Sequence, residues 1–196
     1  MHLCVKVRKP MNIAVFASGS GSNAQQIFEH FKQHSAVKVA LLVCNKSDAF
    51  VIERARNFGI PVLLITKDDF QNEWVLLSVL KERQIEFIVL AGFLWLIPPF
   101  LVKAYPDKIV NIHPALLPQY GGKGMHGMNV HRAVEANKEK ESGISIHFVN
   151  EVYDSGAVIF QARCAVEGLS AEQIAAAVLK LEHQHFAQII EKIVCP

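Results

Sequence analysis

Short apolar runs alternate with amphipathic segments along the first two thirds of the chain. The apolar runs predict buried strands at 12–17, 37–44, 61–65, 87–91 and 109–113. Between them, apolar positions at helical spacing predict helices at 24–31, 49–58, 68–84 and 100–105. Strands that alternate with helices in this way favour a parallel, doubly wound sheet.

The pattern changes in the last third of the chain. Helical spacing continues at 130–137, but residues 144–149 alternate in polarity, which predicts a strand. A second strand at 157–165 follows a polar turn, and we expect the two to form an antiparallel hairpin. Ser170 precedes a long final helix over 171–193. The sequence therefore predicts an α/β fold: a mainly parallel central sheet flanked by helices, with an antiparallel C-terminal strand pair and a long C-terminal helix.

Candidate chemistry lies at the end of the fifth predicted strand. Asn111 and His113 are two residues apart, so on a strand their side chains point to the same side. Pro114 cannot continue a central ladder, which puts both at a strand end, where ligands bind in α/β sheets. We expect Asp154, in the turn of the predicted hairpin, to fold back beside His113. An amide donor, an imidazole and a carboxylate would then surround one reacting atom.

A turn rich in glycine and serine, residues 18–23, connects the first strand to the first helix. Backbone N–H groups at such a helix start can cradle a phosphate. The turn lacks both GxGxxG spacing and the Gly-Lys-Ser/Thr of P-loops, which disfavours a dinucleotide or ATP but allows one terminal phosphate. An ordinary strand-to-helix turn, capped by Ser22 or Asn23, is an equally weighted alternative.

Two more loops follow predicted strands. Residues 92–99, GFLWLIPP, could wall a flat heteroaromatic ligand, although packing against the core is the more common use of such residues. Residues 118–127 contain four glycines and carry Lys123 and His126, which is typical of a closing lid or of a surface connector. His147 lies inside a predicted strand, and we interpret it as a core histidine rather than a catalyst.

Composition disfavours several classes of function. Hydrophobic residues make up 51% and charged residues 19% of the 196 positions, which is typical of one globular domain. A net charge of +2 does not suggest a nucleic-acid partner, and no apolar run is long enough to predict a membrane span. The four cysteines are scattered without metal-ligand spacing, so we expect no metal site and a reducing, cytoplasmic environment.

The first ten residues precede the predicted fold. They carry three basic residues but no apolar core, so we do not expect a signal peptide. We interpret residues 1–10 as an N-terminal extension and residues 11–196 as one domain, with an added edge strand in LCVKV as the alternative. The second methionine, Met11, leaves the true start of the protein open.

The motifs and their order resemble the folate-dependent formyltransferases. The resemblance covers residues 12–194 and is carried by ASGSGSN, NKSDAFVIERA, VLAGFLWL, NIHPALLP, GISIHFVNEVYDSGAVIFQ and LEHQHF. It implies a Rossmann-like formyltransferase fold and an enzyme of one-carbon metabolism. The similarity is strongest to the purine-synthesis members, which implies 10-formyltetrahydrofolate as formyl donor and the amine of 5'-phosphoribosylglycinamide as acceptor, the third step of IMP biosynthesis. The implied reaction is direct transfer through a tetrahedral intermediate, without a metal.

The resemblance also implies roles for individual residues. The catalytic trio corresponds to Asn111, His113 and Asp154. The phosphoribosylglycinamide site corresponds to a phosphate-binding turn and an acidic residue on the last helix, namely Gly21, Ser22, Asn23 and Glu182. The folate site corresponds to Leu94, Trp95, Leu96, Ile97, Asn111, Asn150, Glu151, Val152 and Tyr153.

The sequence departs from this family at three places. Trp95 stands where many relatives carry an arginine, and the loop at 121–127 is longer than usual. Residues 70–73 offer no match for an arginine that reaches the folate in some relatives. Local folate contacts are therefore expected to differ, while the trio is unaffected.

Other activities stay open on the same fold. Methionyl-tRNA formyltransferases normally add a C-terminal domain and a basic surface, and formyltetrahydrofolate hydrolases an N-terminal regulatory domain, so we disfavour both. A sugar-nucleotide formyltransferase or a non-catalytic Rossmann-like nucleotide-binding module remains an alternative. We expect small-molecule partners, no nucleic acid and no membrane, and the sequence leaves a homodimer open.

Overall fold

The computed structural model describes residues 9–195, and strand β1 (Met11–Ala17) is an interior strand of its sheet. The other six strands are β2 (Val37–Cys44), β3 (Val62–Leu64), β4 (Ile85–Leu90), β5 (Ile109–His113), β6 (Glu141–Phe148) and β7 (Val158–Ala165). Their order in the sheet is β3-β2-β1-β4-β5-β6-β7. The first five pair in parallel, whereas β6 pairs antiparallel with both β5 and β7.

Within residues 9–195, seven helices cover the sheet. They are α1 (Ser22–Phe31), α2 (Val51–Asn57), α3 (Lys67–Gln71), α4 (Glu73–Glu82), α5 (Pro99–Ala104), α6 (Met128–Ala136) and α7 (Ala171–Val194). The long helix α7 begins with a capping box, in which Ser170 accepts from the backbone N–H of Gln173 and the Gln173 side chain returns a bond to Ser170. The predicted fold class, hairpin and Ser170 cap are confirmed.

The alternation of side chains along β1 divides the core into two layers. Ile13 and Val15 pack on one face with apolar residues of α1, α2, α6 and α7. Ala14 and Phe16 pack on the other face with residues of α3, α4 and α5. All four side chains are completely buried, which explains why β1 has no polar positions in its second half.

The prediction of one helix over 68–84 is wrong. Asn72 has an extended backbone and its side chain accepts from the N–H of Val75, so it ends α3 and caps α4. Thr66 caps α3 through a reciprocal pair of bonds with Asp69, so the helix begins at Lys67, one residue before the predicted start.

The predicted boundary at residue 11 coincides with the start of β1. Most of the predicted extension, including the alternative strand LCVKV, lies outside the described residues, so the division into extension and domain stays a prediction. Within residues 9–195, no helix combines the length and apolarity that crossing a membrane requires.

A glycine in the middle of β6 provides a test of the hairpin packing. A methyl group on Gly143 would overlap the backbone carbonyl of Ala162 in β7. Because that carbonyl belongs to a paired strand, we expect Gly143→Ala to lower the free energy of unfolding by about 1–3 kcal/mol in urea denaturation. Gly19→Ala, where the added methyl meets nothing within 4 Å, is the matched control. Equal stability of the two variants would contradict the packing of β6 against β7.

Candidate active site

A cleft opens at the carboxyl edge of the sheet, where the chain leaves β1 and β4. After β1 it turns into α1 on one face, and after β4 it continues to α5 on the other, the arrangement that forms a ligand crevice. Ser18 joins the two loops: its N–H donates to the carbonyl of Gly92 at 3.1 Å, and its Oγ accepts from the N–H of Leu94 at 3.1 Å. The Gly/Ser turn and the apolar loop are therefore held side by side.

Most of the predicted site residues line this one cleft, whose volume is about 790 Å³. Those that line it are Ser22, Asn23, Leu94, Trp95, Leu96, Ile97, Asn111, His113, Asn150, Val152, Tyr153, Asp154 and Glu182. Gly21 and Glu151 are absent from the lining. The alternation of β5 gives Asn111 and His113 to the same cleft, as the period of a strand predicts.

Gly21 lies beneath the cleft and acts through the backbone. It occupies the N-cap position of α1 with a φ of 72°, and a methyl group there would overlap Val51 at the start of α2. No side chain caps α1, so the alternative of a cap by Ser22 or Asn23 is wrong. The first N–H groups of α1 are left without a side-chain partner, which makes this helix start suitable for an anion.

The three polar side chains of the predicted trio meet at the end of β5. Asp154 Oδ2 lies 3.5 Å from His113 Nδ1, and its Oδ1 lies 3.5 Å from Asn111 Nδ2. The β6–β7 turn brings Asp154 there with a φ of 52°, and the N–H of Gly122 donates to its Oδ2 at 2.9 Å. His113 is 3% exposed, so the reacting edge of the imidazole is largely shielded from water.

The orientation of the His113 ring is set by a hydrogen bond at Nε2. Nε2 lies 2.7 Å from the carbonyl oxygen of Tyr120, which can only accept, so Nε2 carries a proton. In the neutral ring, Nδ1 is then the unprotonated nitrogen, beside Asp154. Burial lowers the pKa of His113 below its ordinary value, although Asp154 and the Tyr120 carbonyl both act to raise it. The sequence suggested that the Asp154 carboxylate raises the pKa of His113. It did not suggest that burial lowers this pKa by more.

Asp154 stays ionised in this setting. Burial alone would raise its pKa, but the interactions with His147 and His113 and the N–H of Gly122 together lower it. A carboxylate that is ionised at neutral pH can stabilise positive charge on His113 when a proton arrives there.

His147 belongs to the same cluster, which the sequence did not reveal. It is buried, as predicted, but it lies directly opposite Asn111 in the β5–β6 register. Its Nδ1 donates to the carbonyl of Phe148 at 2.8 Å, so its Nε2 accepts from Asn111 Nδ2 at 3.1 Å. The same Nε2 is 3.6 Å from Asp154 Oδ1. His147 therefore holds the amide of Asn111 in one orientation.

Asn23 and Glu182 form a second polar pair in the lining of the cleft. Asn23 Nδ2 donates to Glu182 Oε2 at 2.7 Å, and Glu182 is 8% exposed. Burial raises the pKa of Glu182, opposed by this bond. One hydrogen of the Asn23 amide is therefore used to position the carboxylate, and its second hydrogen, Ser22 and the backbone of α1 remain for an anion.

The apolar loop divides its side chains between the cleft and the core. Leu94 and Leu96 are 41% and 39% exposed and line the cleft. Ile97 is buried, and the ring of Trp95 lies 5.3 Å from that of Phe70, as part of the core between the sheet and α3. The loop therefore both walls the cleft and packs against the core, the two uses that its sequence suggested.

Three basic side chains besides His113 and His147 also line the cleft. His131 of α6 is buried, and its Nδ1 has no hydrogen-bond partner among residues 9–195. Burial lowers the pKa of His131, and the charge of nearby His113 lowers it further. Lys123 and His126 reach the cleft from the glycine-rich loop. Within the described part of the chain, no cluster of three or more His, Cys, Asp or Glu side chains could hold a metal ion.

Comparison with known proteins matches this chain to formyltransferases. A family model described as formyl transferase matches residues 11–190. Phosphoribosylglycinamide formyltransferase from Bacillus subtilis is 37% identical over 186 residues, which cover 92% of this chain and 93% of the relative. The chloroplastic phosphoribosylglycinamide formyltransferase of Vigna unguiculata is 43% identical over 195 residues. The chain spans 62% of that relative's length and 64% of the Arabidopsis thaliana one.

Solved structures agree with the sequence comparison. Glycinamide ribonucleotide transformylase 1 from Geobacillus kaustophilus has a TM-score of 0.85 and 37% identity, over 94% of this chain and 99% of that one. The phosphoribosylglycinamide formyltransferase from Bacillus halodurans has a TM-score of 0.84 and 33% identity, over 94% and 95% of the two chains. The motifs, the fold and the composition of the cleft agree with these matches, and the chain belongs to the formyl transferase family.

Proposed function

We propose that this protein transfers the formyl group of 10-formyltetrahydrofolate to the amine of 5'-phosphoribosylglycinamide. The observation that carries the proposal is the convergence of Asn111, His113 and Asp154 in one cleft whose lining has two unlike parts. One part is polar, with the start of α1 and Glu182, and the other is apolar, with Leu94 and Leu96. Two substrates of different chemistry can thus meet at the trio.

The polar part of the cleft lining suits the acceptor. A phosphate can accept from the N–H groups at the start of α1, and the Ser22 hydroxyl lines the cleft beside them. Glu182, held by Asn23, offers an acceptor for the N–H groups of a glycinamide. Gly21 takes part by allowing the left-handed turn, and Asn23 by orienting Glu182 and by offering its second amide hydrogen to the phosphate.

The apolar part of the cleft lining suits the donor. Leu94 and Leu96 line the cleft together with Val152 and Tyr153 of the β6–β7 turn, and flat ring systems are commonly bound among such side chains. A volume of about 790 Å³ is large for one small ligand and is consistent with two bound together. Glu151 is outside the lining, so we assign it no contact with the folate.

Asn111 stabilises the charge that forms during the transfer. The acceptor amine attacks the formyl carbon, and the carbonyl oxygen becomes an oxyanion in a tetrahedral intermediate. Asn111 Nδ2 has two hydrogens, of which His147 takes one. The second makes only a long contact of 3.5 Å with Asp154 Oδ1, and it can turn to the oxyanion when substrate is bound. A positioned donor of this kind contributes about 3–4 kcal/mol in comparable oxyanion sites.

His113 and Asp154 move the proton. After attack, the amine nitrogen carries an extra proton, which His113 Nδ1 can accept because that nitrogen is unprotonated in the neutral ring. Asp154 and the carbonyl of Tyr120 stabilise the imidazolium. The proton then passes to the departing folate nitrogen as its bond to the formyl carbon breaks. A water held by Asp154 can carry the same proton between the two nitrogens.

We also propose that the partners are these two small molecules alone, that no metal takes part, and that the enzyme acts in the cytoplasm. The net charge of +2 and the scattered cysteines support these proposals. Oligomeric state is not part of the proposal.

The function is tested by a formyl-transfer assay on the purified chain. Folate absorbance is followed with 10-formyltetrahydrofolate and phosphoribosylglycinamide, beside a reaction without amine and one with a dTDP-amino sugar. We expect turnover only with phosphoribosylglycinamide. Turnover only with the amino sugar would reassign the acceptor, turnover without amine would indicate a hydrolase, and none at all would contradict the enzyme assignment.

Asp154→Asn tests the carboxylate. The amide cannot stabilise an imidazolium, so we expect kcat to fall about 10²–10⁴-fold while the melting temperature changes little. Glu141→Gln, which removes a carboxylate from an exposed pair with Arg163 at 3.1 Å, is the control and should retain normal turnover. Near-normal kcat in Asp154→Asn, or unfolding of that variant, would count against the role of Asp154.

The pH dependence of kcat tests the direction of proton transfer. His113 must be neutral to accept the proton, and burial holds its pKa below its ordinary value of about 6.5. We therefore expect kcat at saturating substrates to be level above pH 6.5 and to fall as the pH drops through the pKa of His113. A kcat that rises on acidification from pH 7 to 6 would show that the imidazolium is the active form.

A further inference from the structure

Tyr120 contacts two separate parts of the molecule. Its backbone carbonyl accepts from His113 Nε2 at 2.7 Å. Its phenol hydroxyl donates to Glu139 Oε1 at 2.6 Å and accepts from Asn137 Nδ2 at 2.7 Å. Burial raises the pKa of the phenol, and the bond to Glu139 adds to this, so the hydroxyl keeps its proton and remains a donor.

The two partners of the phenol, Asn137 and Glu139, lie in the segment that connects α6 to β6. Asn137 is the C-cap of α6, with its N–H bonded to the carbonyl of Ala133, and the N–H of Glu139 donates to the carbonyl of Val134 at 3.2 Å. Val134 is buried in the core beneath α6. The hydroxyl of Tyr120 is therefore tied to two residues whose backbones are bonded to α6, although Asn137 itself is exposed and Glu139 is half-buried.

The backbone of the same segment reaches both members of the proton-transfer pair. Two residues after Tyr120, the N–H of Gly122 donates to Asp154 Oδ2 at 2.9 Å. At Gly121, a methyl group would come within 3.2 Å of Asp154 Cβ and closer still to Leu117. A shift of residues 120–122 would thus move His113 and Asp154 together.

We propose that Tyr120 is a positioning residue: its phenol, held by Asn137 and Glu139, fixes the carbonyl that orients His113 for proton transfer. The inference rests on the proposed function only in assigning that transfer to formylation. Tyr120 has a φ of 56°, a conformation that non-glycine residues rarely adopt and that needs support from outside the turn. The two hydroxyl bonds supply this support.

The consequence for His113 is specific. The Tyr120 carbonyl keeps the proton of the neutral ring on Nε2, so Nδ1 is the nitrogen that can accept a proton from substrate. The same carbonyl stabilises the imidazolium once the second proton is bound. The other charged or titratable groups that face this ring are Asp154 of the β6–β7 turn, His147 of β6 and His131 of α6. None of these changes when only the Tyr120 hydroxyl is removed.

The test is Tyr120→Phe, which removes the hydroxyl and keeps the ring and the carbonyl. We expect kcat to fall about 5–20-fold with KM values for both substrates within about twofold, because positioning acts on the chemical step. In ¹⁵N NMR of the free protein, the pKa of His113 should fall by about half a unit as its contact with the carbonyl loosens. The His113→Asn spectrum identifies the resonance.

Tyr105→Phe is the matched control, since its hydroxyl donates to the carbonyl of Ile85 at 3.1 Å outside the cleft. It should leave kcat and the His113 pKa unchanged. Glu139→Gln, which keeps an acceptor for the hydroxyl, should restore most of the activity that Glu139→Ala loses. If Tyr120→Phe does not fold, this Glu139 pair carries the test.

Normal kcat together with an unchanged His113 pKa in Tyr120→Phe, or equal activity of Glu139→Gln and Glu139→Ala, would overturn the inference. The NMR measurement needs no substrate. A shifted His113 pKa in a protein that forms no product would therefore keep the positioning role and reject the proposed function.

Discussion

The antiparallel pairing of β5 with β6 is the constraint on which the site depends. It puts His147 opposite Asn111 and lets the β6–β7 turn carry Asp154 to the end of β5. A slip of one residue in this pairing would send His147 to the other face of the sheet and remove the partner of Asn111. Gly143 allows β7 to approach closely on the other side of β6. The pairing of β6 with β7 therefore helps to hold β6 in register with β5.

Burial and charge act against each other at the trio. Burial alone would favour neutral forms of both His113 and Asp154. Fixed hydrogen bonds offset this effect differently at the two groups: Asp154 becomes easier to ionise, whereas His113 stays harder to protonate than in water. A neutral imidazole beside an ionised carboxylate is suited to take up a proton for a short time, which is what direct transfer between two nitrogens requires.

Local signals in the sequence were sufficient for a large part of the fold. The period of a strand predicted the common side of Asn111 and His113, Pro114 predicted the end of β5, and Ser170 predicted the start of α7. Asn72 was harder, because an asparagine inside an amphipathic pattern gives no sign that the helix stops and restarts there. Family resemblance supplied the proposed roles of Glu182 and of the apolar loop at 92–99, which spacing alone does not.

The parts of the site that were missed depend on contacts distant in sequence or on the backbone. His147 looks like any polar residue in an alternating strand until its register with Asn111 is known. His131 lies on the face of α6 beside Val130 and Val134, where core residues are expected. The carbonyl of Tyr120 has no side-chain signal at all, because every residue carries the same group.

The central claim is that the formyl group passes directly between two bound substrates. A rapid-quench single turnover with the donor labelled in its formyl carbon tests this most directly. The account predicts that label leaves the folate and appears on phosphoribosylglycinamide at the same rate, with none attached to the denatured protein and none released as formate. Label bound covalently to the protein, or formate formed at the rate of donor loss, would contradict it.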